Sequence, residues 1–493
     1  MQLLNKKVYK AFKTYPEKVL QFGEGNFLRA FVDWQIQVLN EKTDFNGSVV
    51  VVQPRGSEKI ERLNNQDGLF TLYLQGIKED KIVNEHLVID SISRGINLFT
   101  DYDEYLTLAG QEDLRFIVSN TTEAGIVFDA DDQVDDRPQK SFPGKLTAFL
   151  YQRFKSFNGD LAKGCIIIPC ELIEENGIRL KESVLQLAEH WKLGAEFIGW
   201  LHDANTFCSS LVDRIVPGYP KDSLEEKLEE LGFQDHLMVV GEQYYLWAIQ
   251  GPEWLKKELP FEAAGLGTLI VDDLTSYRTR KVRILNGAHT AMTPVAYLSG
   301  IETVEESVNH SQVGEFIKEF IFEEVIPTLD DPRNELNEYA KEVLDRFKNP
   351  YIKHYLLSIS LNSISKFKTR DLPTLVEFVR RYGTLPSRLV FSFSCLLYFY
   401  KGKRGLEDIE LDDHPTVLSL FTTLWEKYDC QELEVSELVT VVLADKQLWG
   451  EDLTAIPGLA ETMTNHLVRI EQEGVIALLR EFTASASKTG GAK

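Results

Sequence analysis

Residues 19–35, VLQFGEGNFLRAFVDWQ, decide the fold. The apolar run 19–22 reads as a strand, Gly23-Glu24-Gly25 as a tight turn, and the stretch from Asn26 to about Asn40 as an amphipathic helix. A dinucleotide pyrophosphate needs this layout, because glycines let the backbone come close and a helix N-terminus offers unpaired N–H groups. Leu28 stands where a third glycine is usual, so the turn by itself reads equally well as a tight strand–helix junction. The candidate cofactor contacts here are Phe22, Gly23, Gly25, Asn26, Phe27 and Arg29. Arg29 reads either as a phosphate ligand or as a solvated helix residue, and Glu24 has to point away from any pyrophosphate.

Outward from this unit the same alternation continues. The run 49–52 (VVVV) is a second strand of the continuously apolar kind that a sheet covered on both faces needs. At its end a ribose usually meets an acid; here stand Gln53, suited to a 2′-hydroxyl, and Arg55, suited to a 2′-phosphate, which leaves NAD and NADP both open. Residues 70–74 and 87–93 alternate in period two and read as an inserted hairpin. Runs 116–119 and 165–168 (CIII) add buried strands, with a helical pattern at 144–157 between them, and Asn120 joins the cofactor candidates at the end of the first. Strand–helix–strand alternation means a mostly parallel, doubly wound sheet. After about residue 275, where TLIV and the acids Asp272 and Asp273 close the last strand, the pattern turns helical, broken at Pro327, Pro332, Pro350, Pro373 and Pro386. The expected architecture is an α/β Rossmann-type dinucleotide-binding domain over 1–275, with a hairpin inserted near 68–95. A mostly α-helical substrate domain follows over 276–483, then a flexible tail at 484–493. The cleft between the domains is the expected ligand site.

Composition narrows the function classes. The 493 residues are 43% hydrophobic and 26% charged, an ordinary globular balance. Acids outnumber bases 76 to 53, and a net charge of −23 repels a phosphate backbone, so no nucleic-acid partner is expected. Five cysteines make no disulfide framework. The basic start, residues 1–18, has no apolar run behind it, and the most apolar stretch, 389–400, is too short to span a bilayer and reads as a buried helix. A cytoplasmic location with no membrane partner is expected.

The stretch 280–292, RKVRILNGAHTAM, holds the candidate chemistry. At about 100° per residue, Lys281, Asn286 and His289 fall at roughly 0°, 140° and 80° around one helix. A lysine exchanges a proton with an alcohol or carbonyl oxygen when its pKa is lowered by burial, by a neighbour such as Arg283, or by a nicotinamide ring. An asparagine amide donates to a developing alkoxide, and a histidine orients substrate. Read singly, each is an ordinary helix residue; together, behind a dinucleotide domain, they suggest an active site. No HExxH or zinc spacing occurs, so no metal is expected; Cys165, Cys170 and Cys208 read as buried structural thiols.

Three phrases, FGEGNFLRAF, SLVDRIVP and KVRILNGAH, together resemble the long-chain mannitol dehydrogenase family of polyol and ketose oxidoreductases, whose signature matches VDRIVP at 212–217. The resemblance implies a Rossmann-type domain, a helical domain and metal-free acid–base chemistry on a lysine. It places Lys281, Asn286 and His289 on the family's catalytic positions. A second oxyanion asparagine of polyol members corresponds to Ser209 in FCSS, and SISKFKTR places Lys366 on a substrate-contacting lysine, whereas Ser358 stands where polyol members carry arginine. With Lys368 and Arg370, Lys366 forms the candidate cationic cluster for the substrate's far end. Within the family, FGEGNFLRAFVDWQ, TFCSSLVDRIVPGYP and SISKFKTR resemble members that reduce D-tagaturonate to D-altronate with NADH in galacturonate breakdown. The alternatives are reduction of fructuronate, or of fructose or its phosphate, on the same scaffold. A dinucleotide-binding protein without catalysis is a further alternative, which the full lysine–asparagine–histidine set disfavours.

Overall fold

The computed structural model describes residues 1–53, 58–79, 81–122 and 124–489. Strands follow in chain order as β1 (Glu17–Phe22), β2 (Ser48–Gln53), β3 (Phe70–Lys78), β4 (Lys81–Ile89), β5 (Ile92–Asn97), β6 (Phe116–Ser119), β7 (Ile166–Pro169), β8 (Thr206–Phe207), β9 (Ser209–Asp213), β10 (Val239–Glu242), β11 (Leu246–Gln250) and β12 (Leu269–Val271). By its contacts the chain divides into two units, 1–76 with 82–275, and 276–493 with 77–81.

The first unit is organised by a six-stranded sheet, β5-β2-β1-β6-β7-β8, in which every neighbouring pair is parallel. Counted along this sheet alone, the order is third, second, first, fourth, fifth, sixth, the doubly wound dinucleotide order. All six residues of β2 are buried. Alternation explains why: Val50 and Val52 face one apolar core with Leu20, Phe22 and Ile117, while Val49 and Val51 face another with Val19 and Val118.

The inserted hairpin differs from its expected bounds. β3 and β4 are longer, sit beside β10 in a separate three-stranded sheet, and the run read as 87–93 is divided between β4 and β5. Period-two alternation marks strands but does not say which sheet they join. A further sheet, β12-β11-β9, sets β11 between β9, which leads into the VDRIVP region, and the strand expected at 268–271.

From 276 on, the described residues of the second unit are built into helices, with one short antiparallel pair, Lys403–Arg404 with Glu407–Asp408, that the sequence pattern did not show. The apolar stretch forms the helix Ser387–Phe399, buried at most of its positions. Pro373 opens a helix instead of breaking one, since it sits in the first turn of Leu372–Tyr382 where its missing N–H costs nothing. The last helix, Val475–Thr489, runs six residues into the expected flexible tail, because no glycine or proline interrupts it before Gly490. Among the described residues no helix is long and apolar enough to cross a membrane.

Candidate active site

In the first unit the sheet order reverses at β1, between β2 and β6, and a cleft of about 710 Å³ opens at the carboxyl ends of β1 and β6. It is lined by the glycine turn, Phe27, Asn120 and Thr121 among others. Gly23 has φ of 129°, and a Cβ there would come within 3.2 Å of the Asn120 carbonyl oxygen and 3.1 Å of Leu28, so only glycine fits. Gly25 has φ of −68°, and a Cβ there would meet no heavy atom of the described residues within 4 Å. The backbone at Gly25 does not require glycine; the bare surface faces the cleft, as close approach of a pyrophosphate demands. No side chain caps the helix that starts at Asn26, so its first N–H groups are open to an anion. Glu24 is drawn to Lys59 at 3.2 Å. These features fit a dinucleotide.

Beneath the turn, Gln21 Nε2 donates to Gly23 O and to Asp33 Oδ2, each at 3.1 Å. Burial pushes the Asp33 carboxyl up to about 7, against the opposing pull of Gln21 and Arg29. At the end of β7, Glu171 accepts from the Thr121 N–H, from its hydroxyl and from Ser119 Oγ, all at 3.0 Å, and so holds the β6 loop at the cleft wall. Lys145, fully buried at the cleft, donates to the carbonyls of Gln139, Lys140 and Ser141. Neither was singled out in the sequence; an acid ending the CIII strand run was the available signal for Glu171.

Several cofactor candidates turn elsewhere. Arg29 is buried and inward: Nε donates to Glu24 O at 3.3 Å, Nη2 to Asn26 Oδ1 at 2.7 Å and Nη1 to Leu237 O. It braces the turn, because a buried guanidinium needs its donors satisfied. Phe22 packs its ring against Tyr105 and Phe142 in the core. Gln53, expected at the ribose, is buried and accepts the Ile60 N–H at 3.1 Å; Arg55 lies outside the described residues. The Asn120 amide donates to Cys170 O at 2.7 Å while the residue still lines the cleft. Asn26 and Phe27 line it as well. Ser209 is buried on β9, and its hydroxyl has no hydrogen-bond partner among the described residues. Arg214 of the VDRIVP signature donates to Ala30 O and Glu242 O at 2.5 and 2.8 Å and stacks over Trp34, a bracing role. Cys165, Cys170 and Cys208 are buried, and burial pushes the Cys208 thiol up to about 12.

In the second unit Lys281–Asn286 is a π-helical turn within the helix 275–298, and the Gly287 N–H reaches back five residues to Val282 O. In this i→i+5 geometry residues five apart lie nearly one above the other. Lys281 and Asn286 therefore share a face, where ordinary helical spacing would set them about 140° apart. His289 follows on that side; its ring stands 4.5 Å from Phe347 and 5.0 Å, edge to face, from His354. Burial drives the His289 imidazole well below its ordinary value, and His354, Arg346, Arg370 and Lys366 push the same way. Arg283 is committed to Thr374 Oγ1 at 2.7 Å and Thr328 Oγ1 at 3.0 Å, which makes it a brace between helices.

The expected cationic cluster splits. Lys366 and Arg370, four apart on Ser363–Arg370, both act on His289. Lys368 falls on another side of that helix, its Nζ 3.6 Å from where a Gly450 side chain would begin. Lys366 Nζ donates to Ile359 O at 2.8 Å. His354 and Arg346 join the cluster from segments that the sequence reading left unassigned. Among the described residues, no group of three or more His, Cys, Asp or Glu is placed to hold a metal.

Comparison with known proteins agrees with this layout. Residues 17–263 match the family model described as the mannitol dehydrogenase Rossmann domain, and residues 273–471 match the mannitol dehydrogenase C-terminal domain. An altronate oxidoreductase of Bacillus subtilis (strain 168) is 60% identical over 98% of each chain. Another, of Pectobacterium carotovorum, is 47% identical over 98% of this chain and 100% of its own. Of solved structures, a substrate-free D-sorbitol dehydrogenase superposes with TM-score 0.80 at 20% identity, covering 96% of this chain and 99% of that one. A Pseudomonas fluorescens mannitol 2-dehydrogenase, in ternary complex with NAD and D-mannitol, gives 0.67 at 21%, covering 98% and 100%. At such identities these two speak for the fold.

Proposed function

The chain belongs to the mannitol dehydrogenase family, and from that membership we propose that it interconverts D-tagaturonate and D-altronate with NAD, as a step in hexuronate (galacturonate) breakdown. As a family member it is an NAD-dependent oxidoreductase acting on CH–OH groups. The observation that carries the substrate assignment is the 60% identity to an altronate oxidoreductase over 98% of both chains.

When bound, the reduced dinucleotide supplies the hydride for the keto carbon. The glycine turn and the open helix N-terminus at Asn26 would hold its pyrophosphate. The Lys281 ammonium gives its proton to the carbonyl oxygen as charge develops there; in the oxidising direction the neutral amine takes the hydroxyl proton back. Asn286, on the same face through the π turn, donates its amide to that oxygen. His289, its ring held neutral by burial and basic neighbours, bonds an adjacent substrate hydroxyl.

The test is absorbance at the nicotinamide band with NADH or NADPH and a panel of D-tagaturonate, D-fructuronate, D-fructose and fructose 6-phosphate. The expected outcome is the highest kcat/KM for D-tagaturonate with NADH. Preference for D-fructuronate or a neutral or phosphorylated ketose would replace this reading.

A further inference from the structure

Arg370 stands apart from the other basic groups near His289. Its Nη1 donates to Thr290 Oγ1 at 3.1 Å, and Thr290 Oγ1 donates to Asn286 O at 3.0 Å. The guanidinium is thereby pinned to the helix that carries Asn286 and His289, beside a threonine that is only 4% exposed. Among the described residues, Nε and Nη2 of Arg370 have no hydrogen-bond partner. The next residue, Asp371, acts on it electrostatically but takes none of its donors: both Asp371 oxygens are buried without a hydrogen bond, and among the described residues no ion pair joins the two. Asp413, the carboxylate that acts on Lys366, is engaged by Tyr400 Oη and by the His414 and Ile364 N–H groups. The groups that act most strongly on His289, namely His354, Arg346, Arg370 and Lys366, are all basic.

A half-buried guanidinium, fixed at one nitrogen and open at the other two, is matched to a planar carboxylate, which takes two parallel N–H bonds. A lysine provides a point charge without that fork, and the Lys366 ammonium already spends one proton on Ile359 O. We propose that Arg370 is the residue that selects a sugar acid over a neutral sugar: Nε and Nη2 of its guanidinium receive the substrate carboxylate, while Lys281, Asn286 and His289 act on the keto end. The proposal rests on the sugar-acid reading above and adds the group that enforces it. A neutral ketose with –CH2OH in place of the carboxylate loses both charge-assisted bonds at this fork.

D-Tagaturonate and D-tagatose differ at that end alone, so the ratio of their kcat/KM values with NADH isolates it. In Arg370→Met the ratio should fall on the order of 10- to 100-fold, the loss of hydrogen bonds to a charged group, and chiefly through KM for the acid. Arg370→Lys should recover part of the ratio by restoring the charge without the fork. A melting temperature within a few degrees of wild type shows that the variants fold. A ratio unchanged within about threefold, or equal losses on both substrates, overturns the proposal and leaves the assignment of D-tagaturonate standing. A wild-type enzyme that instead prefers D-fructuronate overturns that assignment, and the same comparison against D-fructose then decides the role of Arg370. A wild type that prefers the neutral ketose in both pairs overturns both.

Discussion

At the scale of single residues, Lys281 and Gly25 separate chemistry from cofactor binding, because they lie in different units. Lys281→Ala removes the proposed proton donor while the glycine turn is untouched. Turnover should fall by about 10²–10⁴-fold with NADH affinity nearly unchanged, and the pH profile of alcohol oxidation should flatten. Steady-state kinetics beside a fluorescence titration of NADH checks this; a folded variant with full turnover and the wild-type profile would remove Lys281 from the mechanism. Gly25→Val has the opposite signature. Its φ of −68° suits valine and the position is open, so the fold should survive. The branched side chain would stand where the pyrophosphate approaches, and NADH affinity should drop at least about tenfold, a cost of about 1.4 kcal/mol.

At the scale of elements, the braces beneath the glycine turn and behind the first helix are the sensitive places. Asp33 is held against Gln21 with its carboxyl pushed up to about 7, from an ordinary value of 3.8. Between those values the folded chain binds more protons than the unfolded one, so this group's contribution to stability declines as pH rises from about 4 to 7 and stays low above that. Asp33→Asn cannot ionise. Urea unfolding at pH 5 and pH 8 should show wild type losing about 1–3 kcal/mol more than the variant over that interval. Equal pH dependence in the two would mean that Asp33 does not titrate there. Arg214 is the second brace, donating to the buried carbonyls of Ala30 and Glu242 from across the first unit. Arg214→Met removes both of these hydrogen bonds from a charged donor and should cost about 2–5 kcal/mol, read from the denaturation midpoint.

At the scale of the whole molecule, the chemistry proposed here runs on a lysine, so prolonged dialysis against a chelator should leave kcat unchanged. Activity lost to the chelator and restored by zinc would reject the lysine mechanism. How much of the molecule was legible beforehand depends on how far each signal reaches along the chain. The strand runs, the Gly-x-Gly turn, the change to helices near residue 275 and the Lys281–Asn286–His289 spacing are local, and the sequence determined them because turn chemistry and hydrophobic period act over a few residues. Side-chain direction is another matter. Arg29 reads in the sequence as a phosphate ligand or a solvated helix residue, whereas Leu237, 208 residues on, supplies its acceptor; Gln53 reads as a ribose contact, whereas its side chain accepts the Ile60 N–H. The run Lys366, Lys368, Arg370 is one cluster in sequence, but helix geometry and the packing around His289 separate Lys368 from the other two. The π turn that sets Lys281 and Asn286 on one face cannot be read from residue types, since one extra residue per turn depends on what the surrounding helices will accommodate. Tertiary structure alone decided these points, because a polar side chain settles where its buried donors and acceptors find partners, and those partners come from distant parts of the chain.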